Sequence, residues 1–332
     1  LGVPLATLTV PTGQARQAHP FEDRVPVAGR ANPYDINLVC LNPPALLRFA
    51  DRTGRGFFAG RYTVGYWAWE LEEFPDSWPG AFDLVDEIWM NSRHAAAGVH
   101  AHTDKPVEVF PVPVQAPAPS GLGRADLGLP SGFVFLFVFD YGSVPARKNP
   151  LGLVQAFQQA FAPGEGPVLV LKSINEDAFP LERERLHFEA GSRPDIVFME
   201  GYLAAGGKDA LIGACDCYVS LHRAEGFGIT MAEAMAQGKP TIATGYSGNL
   251  EFMTPENSFL VGWSPAAVPA GCRPYAAGAR WAEPNLDEAA ARMRWVYEHP
   301  QEGRRLGERA RADLAALHGP EARARLLDAL LA

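Results

Sequence analysis

Short apolar runs recur along the chain at the spacing of a strand followed by a helix. In the first third, Leu5–Val10, Ile36–Leu41, Tyr62–Trp67, Glu87–Met90 and Val107–Phe110 read as strands. A helix begins near Pro43, since proline suits the first helical turn. Another follows the capping pair Asn91–Ser92 and runs through His100. The second half repeats the alternation. Phe133–Phe139 is a continuous apolar run, as expected of a strand covered on both faces, and Asn149–Phe161 is helical. Val168–Leu171, Ile196–Met199, Asp216–Leu221 and Thr241–Ala243 are further strands, with helical stretches between them. After Val261 the chain loosens, with Pro and Gly scattered from Pro265 to Gly278. Leu286–Val296 and Glu302–Leu331 then read as amphipathic helices. Strands alternating with helices predict an α/β fold with parallel sheets.

Two stretches interrupt this rhythm. Pro11–Pro33 is polar and irregular and reads as a mobile loop. Pro111, Pro113, Pro117 and Pro119 form a stiff extended segment, because proline at this density supports neither a helix nor a central strand. A boundary between Pro111 and Leu127 divides the chain into two domains, 1–120 and 121–332.

The 332 residues are enough for two domains, and no internal repeat appears. The net charge of −9 argues against a nucleic-acid partner. No run of eighteen apolar residues marks a membrane span, and no basic and apolar leader opens the chain. It starts at Leu1 and not at Met, so upstream residues are expected. Cys215 and Cys217 flank a single residue on a buried strand, a spacing that fits neither a redox pair nor a zinc knuckle. With Cys40 and Cys272 they read as free thiols of a reducing cytoplasm.

The stretch from Ser220 to Glu251 carries the most chemistry. A strand ends at Leu221, a turn with Gly226 and Gly228 follows, and a helix rich in Ala and Met runs to Gly238–Lys239–Pro240. A short strand and a second turn, Gly245–Asn249, then lead into a new helix. Strand–turn–helix twice over aims helix starts at one edge of a parallel sheet. Glu225 lies in the first turn and Glu233 in the helix after it. The glycines let a ligand approach the backbone, and the second turn can offer N–H groups to a phosphate. Carboxylates for hydroxyls beside donors for phosphate suit a sugar nucleotide. Taken singly, each Glu has an ordinary reading as surface charge.

A second cluster, Asp140–Pro150, follows the buried strand and contains Arg147 and Lys148. Fixed cations at a strand's carboxyl end can stabilise negative charge that develops on a departing diphosphate. Arg grips phosphate oxygens as a fork and Lys supplies a point charge.

The spacing Glu225-x7-Glu233, with the flanking Glu-Gly-Phe-Gly, Glu-Ala-Met-Ala-x-Gly-x-Pro and Ser-Gly-Asn pieces, resembles the motif of retaining glycosyltransferases with two Rossmann-like domains, most closely glycosyltransferase family 4. The resemblance implies a GT-B fold. Its two parallel-sheet domains face a cleft, the first lacks its usual first strand and glycine loop, and the last helices cross back onto that domain. It implies that Arg147 and Lys148 contact the donor diphosphate and that Glu225 faces the transferred sugar. Glu233 would hold the donor ribose. Ser247, Gly248, Asn249 and Leu250 would give backbone N–H groups to the diphosphate, with Gly226, Phe227, Gly228 and Thr230 completing the donor site. Thr230 and Met231 line the nucleotide pocket or pack the helix. Many family members carry Gly-Arg where Asp140-Tyr141-Gly142-Ser143 stands, so Arg147 is either the family's catalytic arginine or its neighbour.

No Asp-x-Asp occurs, which fits leaving-group stabilisation by Arg147 and Lys148 with no metal and no cofactor. The expected substrates are a nucleotide-diphosphate sugar and a glycan or lipid-linked acceptor. By closeness to mannosyltransferase-like members the donor is GDP-mannose, with UDP-sugars as the other candidate. The expected place is the cytoplasm, with peripheral contact at the inner face of the membrane. Trp67, Trp69, Glu70 and Asn42 are acceptor-side candidates, the indoles either stacking on a sugar or packing the core. His94, His100 and His102 read as helix-end surface residues. A catalytically silent nucleotide-sugar-binding protein is the competing reading. An NAD-linked enzyme lacks its glycine signature.

Overall fold

The computed structural model describes residues 5–8, 33–75, 78–118, 120–319, 321–322, 324 and 327–328. The strand expected to reach Val10, the loop from Pro11 to residue 32 and the end of the last helix lie outside them; of the first, only an isolated bridge at Thr7 is described. The chain divides into two compact units. One comprises Leu1–Trp69 with Glu73–Phe110; the other comprises Glu70–Glu72 with Pro111–Ala332.

Among the described residues, the first unit is a four-stranded parallel sheet in sequence order: β1 (Ile36–Val39), β2 (Tyr62–Trp67), β3 (Glu87–Met90) and β4 (Val107–Val109). Helices α1 (Pro43–Thr53) and α2 (Arg93–His100) connect these strands. Proline opens α1, and the Ser92 hydroxyl caps α2 by accepting from the Ala95 N–H at 3.1 Å. The core of this unit is aromatic: the rings of Trp67, Phe74 and Phe82 all pack on one another.

The second unit is a six-stranded parallel sheet in the order β10-β9-β8-β5-β6-β7. Its strands are β5 (Val134–Asp140), β6 (Val168–Ile174), β7 (Ile196–Met199), β8 (Cys217–Ser220), β9 (Thr241–Thr244) and β10 (Phe259–Val261). The strand order reverses between β5 and β8, and the carboxyl ends of a parallel sheet open a site at such a point. Their connections carry α3 (Pro145–Lys148), α4 (Pro150–Ala160), α5 (Pro180–Ala190), α6 (Gly207–Ala214) and α7 (Ile229–Ala236). β8 and β9 are buried at every position, so their apolar runs are covered on both faces. Helices α8 (Leu286–Glu298) and α9 (Pro300–His318) pack on α4 and α7.

Three expectations are corrected. Phe259–Val261 forms a sixth strand of the main sheet. The stretch expected to be loose is irregular from 268 to 279, but it is the connection of an antiparallel hairpin of β11 (Trp263–Ala267) and β12 (Arg280–Pro284). The helix expected after Asn249 is a four-residue 3-10 turn, Gly248–Glu251, whose Asn249 side chain bonds back to the Thr244 carbonyl and to His222.

Candidate active site

The chain leaves β8 through His222, Arg223 and Ala224 to Glu225, and leaves β9 through Gly245 to Gly248. These two turns lock together. Gly248 donates its N–H to the Glu225 carbonyl at 2.9 Å, and the Ser247 hydroxyl accepts from the Glu225 N–H at 2.8 Å. A Cβ on Gly248 would fall 2.0 Å from the Gly226 carbonyl oxygen, so only glycine allows this approach. His222 is fully buried beneath, with its ring nitrogens near the Ser220 hydroxyl, the Tyr246 carbonyl and the Asn249 amide oxygen, each at 3.2 Å. Burial pushes its imidazole pKa down, against the pull of Glu225.

The second arm comes from β5. Val144 and Asn149, both with positive φ, bracket α3 and reverse the chain on either side of it. Asn149 caps α4 by accepting from the Gly152 N–H at 3.1 Å and donates to the Leu221 carbonyl at 2.8 Å. That anchor holds α3 against the β8 exit. Arg147, 3% exposed, donates to the Ala224 carbonyl at 2.8 Å and lies 3.3 Å from a Glu225 carboxylate oxygen. Its other terminal nitrogen lies 3.7 Å from Glu70. Lys148 pairs with the second Glu225 oxygen. Burial works against every charge in this cluster. For Glu225 it is outweighed by Lys148, Arg147 and His222, which bring the carboxyl down to about 2. For Arg147 it is outweighed by Glu225 and Glu70, so its pKa rises. For Lys148 burial wins, with Arg147 adding repulsion, and its pKa falls.

Glu233, on α7, pairs with Lys208 on α6. Its second oxygen is buried without a hydrogen-bond partner. Burial raises the Glu233 pKa despite Lys208. The hydroxyl of the buried Tyr218 meets the Val138 backbone at 3.3 Å, and its pKa is raised by burial, with Glu233 and Glu225 adding to the rise.

The other expected donor residues divide by burial. Phe227 packs on Phe252 and His318, and Met231 is buried in the core. Asn249 is fully buried, with its amide bonded to the Thr244 carbonyl at 3.0 Å. Of the N–H groups expected to face a diphosphate, Gly248 serves Glu225 and Leu250 donates to the Ser247 carbonyl at 3.1 Å. Gly228 takes positive φ at the start of α7, and Gly226 supplies the carbonyl against which Gly248 packs.

Of the acceptor-side candidates, Glu70 belongs to the second unit and faces Arg147. Trp67 and Trp69 are 1% and 2% exposed, and Trp69 donates to the Glu73 carbonyl at 2.9 Å. Both rings are spent on packing the first unit. Asn42 accepts from the Ala68 N–H at 2.8 Å and ties the end of β1 to the end of β2.

Sequence reasoning gave no role to His222, Arg223, Lys208 or Tyr275. The first two sit just ahead of Glu225 and were open to notice; the others arrive from distant segments. Among the described residues, no group of three His, Cys, Asp or Glu is placed to hold a metal ion.

Residues 133–313 match the model of the family described as glycosyl transferases group 1. The chain belongs to that family. The group 1 match spans all the second-unit strands and the whole charged cluster except Glu70. A comparison with curated protein sequences gives no match. Solved structures share the fold with this group 1 chain. HepE of Anabaena, in complex with UDP-glucose, is 19% identical over 90% of this chain and 78% of its own, with a TM-score of 0.68. Sucrose-phosphate synthase of Thermosynechococcus elongatus is 18% identical over 90% and 73%, with a TM-score of 0.65. The pneumococcal O-GlcNAc transferase GtfA, in complex with UDP and GlcNAc, is 15% identical over 89% and 57%, with a TM-score of 0.60. These likenesses establish the GT-B glycosyltransferase fold.

Proposed function

We propose that the protein transfers a hexosyl group from a nucleotide-diphosphate sugar to a glycan or lipid-linked acceptor, with retention of anomeric configuration and without a metal ion. The observation that carries this reading is the pairing of Arg147 and Lys148 on Glu225 at the carboxyl edge of the sheet. When the anomeric C–O bond breaks, its electrons pass to the diphosphate. Arg147 and Lys148 are held where they can neutralise that charge, an interaction stronger in the transition state than in the bound donor. Glu225, with a pKa of about 2, is a weak general base at neutral pH. That suits a carboxylate that accepts a hydrogen bond from a donor-sugar hydroxyl, and it supports retention, which does not call on Glu225 to deprotonate the acceptor. Glu233 would hold the donor ribose hydroxyls; its pairing with Lys208 through one oxygen, with the second oxygen left without a partner, supports this role.

The donor is a UDP- or GDP-linked sugar; UDP-sugars come first in the test because HepE and GtfA carry UDP. Among the described residues no helix is long and apolar enough to cross a membrane, so a lipid-linked acceptor would be met at the membrane surface. The test is a thermal-shift series with UDP, GDP, UDP-glucose and GDP-mannose, with and without EDTA. A donor at about 100 times its Kd adds about 2.7 kcal/mol of stability, a rise of a few degrees in Tm. The reading predicts that rise for one nucleotide class, unchanged by EDTA, together with turnover of the donor. No rise with any nucleotide would refute it, and binding without turnover would make the chain a nucleotide-sugar-binding protein.

A further inference from the structure

The β11–β12 hairpin stands outside the main sheet, yet both of its ends reach the charged cluster. At its base, Arg223 joins three elements. Its guanidinium takes both Glu283 oxygens at 2.7 and 2.8 Å, lies over the Trp281 ring at 5.7 Å and donates to the Ala146 carbonyl at 2.5 Å. Its backbone accepts from the Ala282 N–H at 2.9 Å and donates to the Arg147 carbonyl at 2.8 Å. The hairpin is therefore clamped to the turn that carries Arg147 and to the residue two before Glu225. At its tip, Tyr275 is 6% exposed and donates its hydroxyl to Glu70 at 2.9 Å. The other Glu70 oxygen faces Arg147. Burial raises the Tyr275 pKa, so the phenol keeps its proton and remains a donor.

Glu70 has two competing uses. Turned fully onto Arg147, it would neutralise the charge that the leaving diphosphate needs. Held by Tyr275, one of its oxygens is occupied elsewhere. We propose that the hairpin is part of the transfer machinery and that Tyr275 is a positioning residue, whose hydroxyl fixes Glu70 and thereby the direction of the Arg147 guanidinium. This rests on the glycosyl-transfer reading above. The effect belongs to the step in which the sugar departs, because the Tyr275 hydroxyl is spent on Glu70.

The test is release of nucleoside diphosphate from UDP-glucose and from GDP-mannose by wild type, Tyr275→Phe, Glu70→Gln and the double variant. Tyr275→Phe keeps the ring and is expected to lower kcat about tenfold, with KM for the donor within about twofold of wild type. If Tyr275 acts through Glu70, the double variant is no slower than the slower single one. Glu283→Gln, which loosens the clamp at the other end, is expected to lower kcat in the same direction. Wild-type kcat in both Tyr275→Phe and Glu283→Gln overturns the inference, as does full additivity in the double variant. If wild type cleaves neither donor, the transfer reading itself falls and the inference falls with it.

Discussion

Glu225 and Glu233 belong to one motif with seven residues between them, yet their carboxylates sit in opposite fields. Burial opposes the charge of both. Glu225 has Lys148, Arg147 and His222 around it, and their attraction reverses the burial penalty. Glu233 has Lys208, which is 40% exposed, and burial prevails. Two carboxylates of the same type are thus sorted by what is packed against them. Glu225 is fixed as an anion, while Glu233 keeps one buried oxygen without a hydrogen-bond partner. Spacing along a helix and turn sets where each residue stands, and the neighbours from α3 and α6 set what it can do.

Replacing Glu225 gives the largest contrast. Glu225→Gln leaves Arg147 and Lys148 buried without their main counter-charge, and is expected to lower unfolding stability by about 3 kcal/mol in urea titration at pH 7. The pH dependence carries its own sign. A carboxyl lowered from 4.5 to about 2 on folding stabilises the fold above 4.5 and loses that contribution as pH falls toward 2. The gap between wild type and Glu225→Gln should therefore be open at neutral pH and close below 4.5. A gap independent of pH would show that the Glu225 charge does not hold the cluster.

Glu233 should behave in the opposite way. Its charge is penalised by burial, so Glu233→Gln is expected to stay within about 1 kcal/mol of wild type in stability, while the Kd for the bound nucleoside diphosphate rises about tenfold. Calorimetric titration with UDP and GDP checks this. A stability loss as large as that of Glu225→Gln, or an unchanged Kd, would erase the distinction between the two carboxylates.

Most of the fold was legible because its strands are short apolar runs with helix caps and glycine stops between them. Tyr62–Trp67 and Glu87–Met90 are strands over the bounds expected from sequence. The hairpin from Trp263 to Pro284 was not legible. It is a two-stranded ribbon with Pro265 and Pro284 inside its strands, largely exposed along β11, so neither strand presents an apolar run. At the site, Glu225, Arg147 and Lys148 come together as their positions after β8 and β5 suggested. The partners that decide their charge were hidden. Tyr275 reaches Glu70 across the sequence, Lys208 meets Glu233 from another helix, and no local pattern marks either. The tryptophans had two readings, sugar stacking and core packing, and the structure shows the second: their rings pack with Phe74 and Trp78.

The division of labour between the two ends of the motif is tested most directly by donor kinetics of Lys148→Ala and Glu233→Ala, measured side by side on the same nucleotide-sugar. Lys148→Ala should lower kcat about a hundredfold with little change in KM, and Glu233→Ala should raise KM about tenfold with kcat less affected. Wild-type kinetics in both variants would contradict the assignment of this cluster as the site of glycosyl transfer.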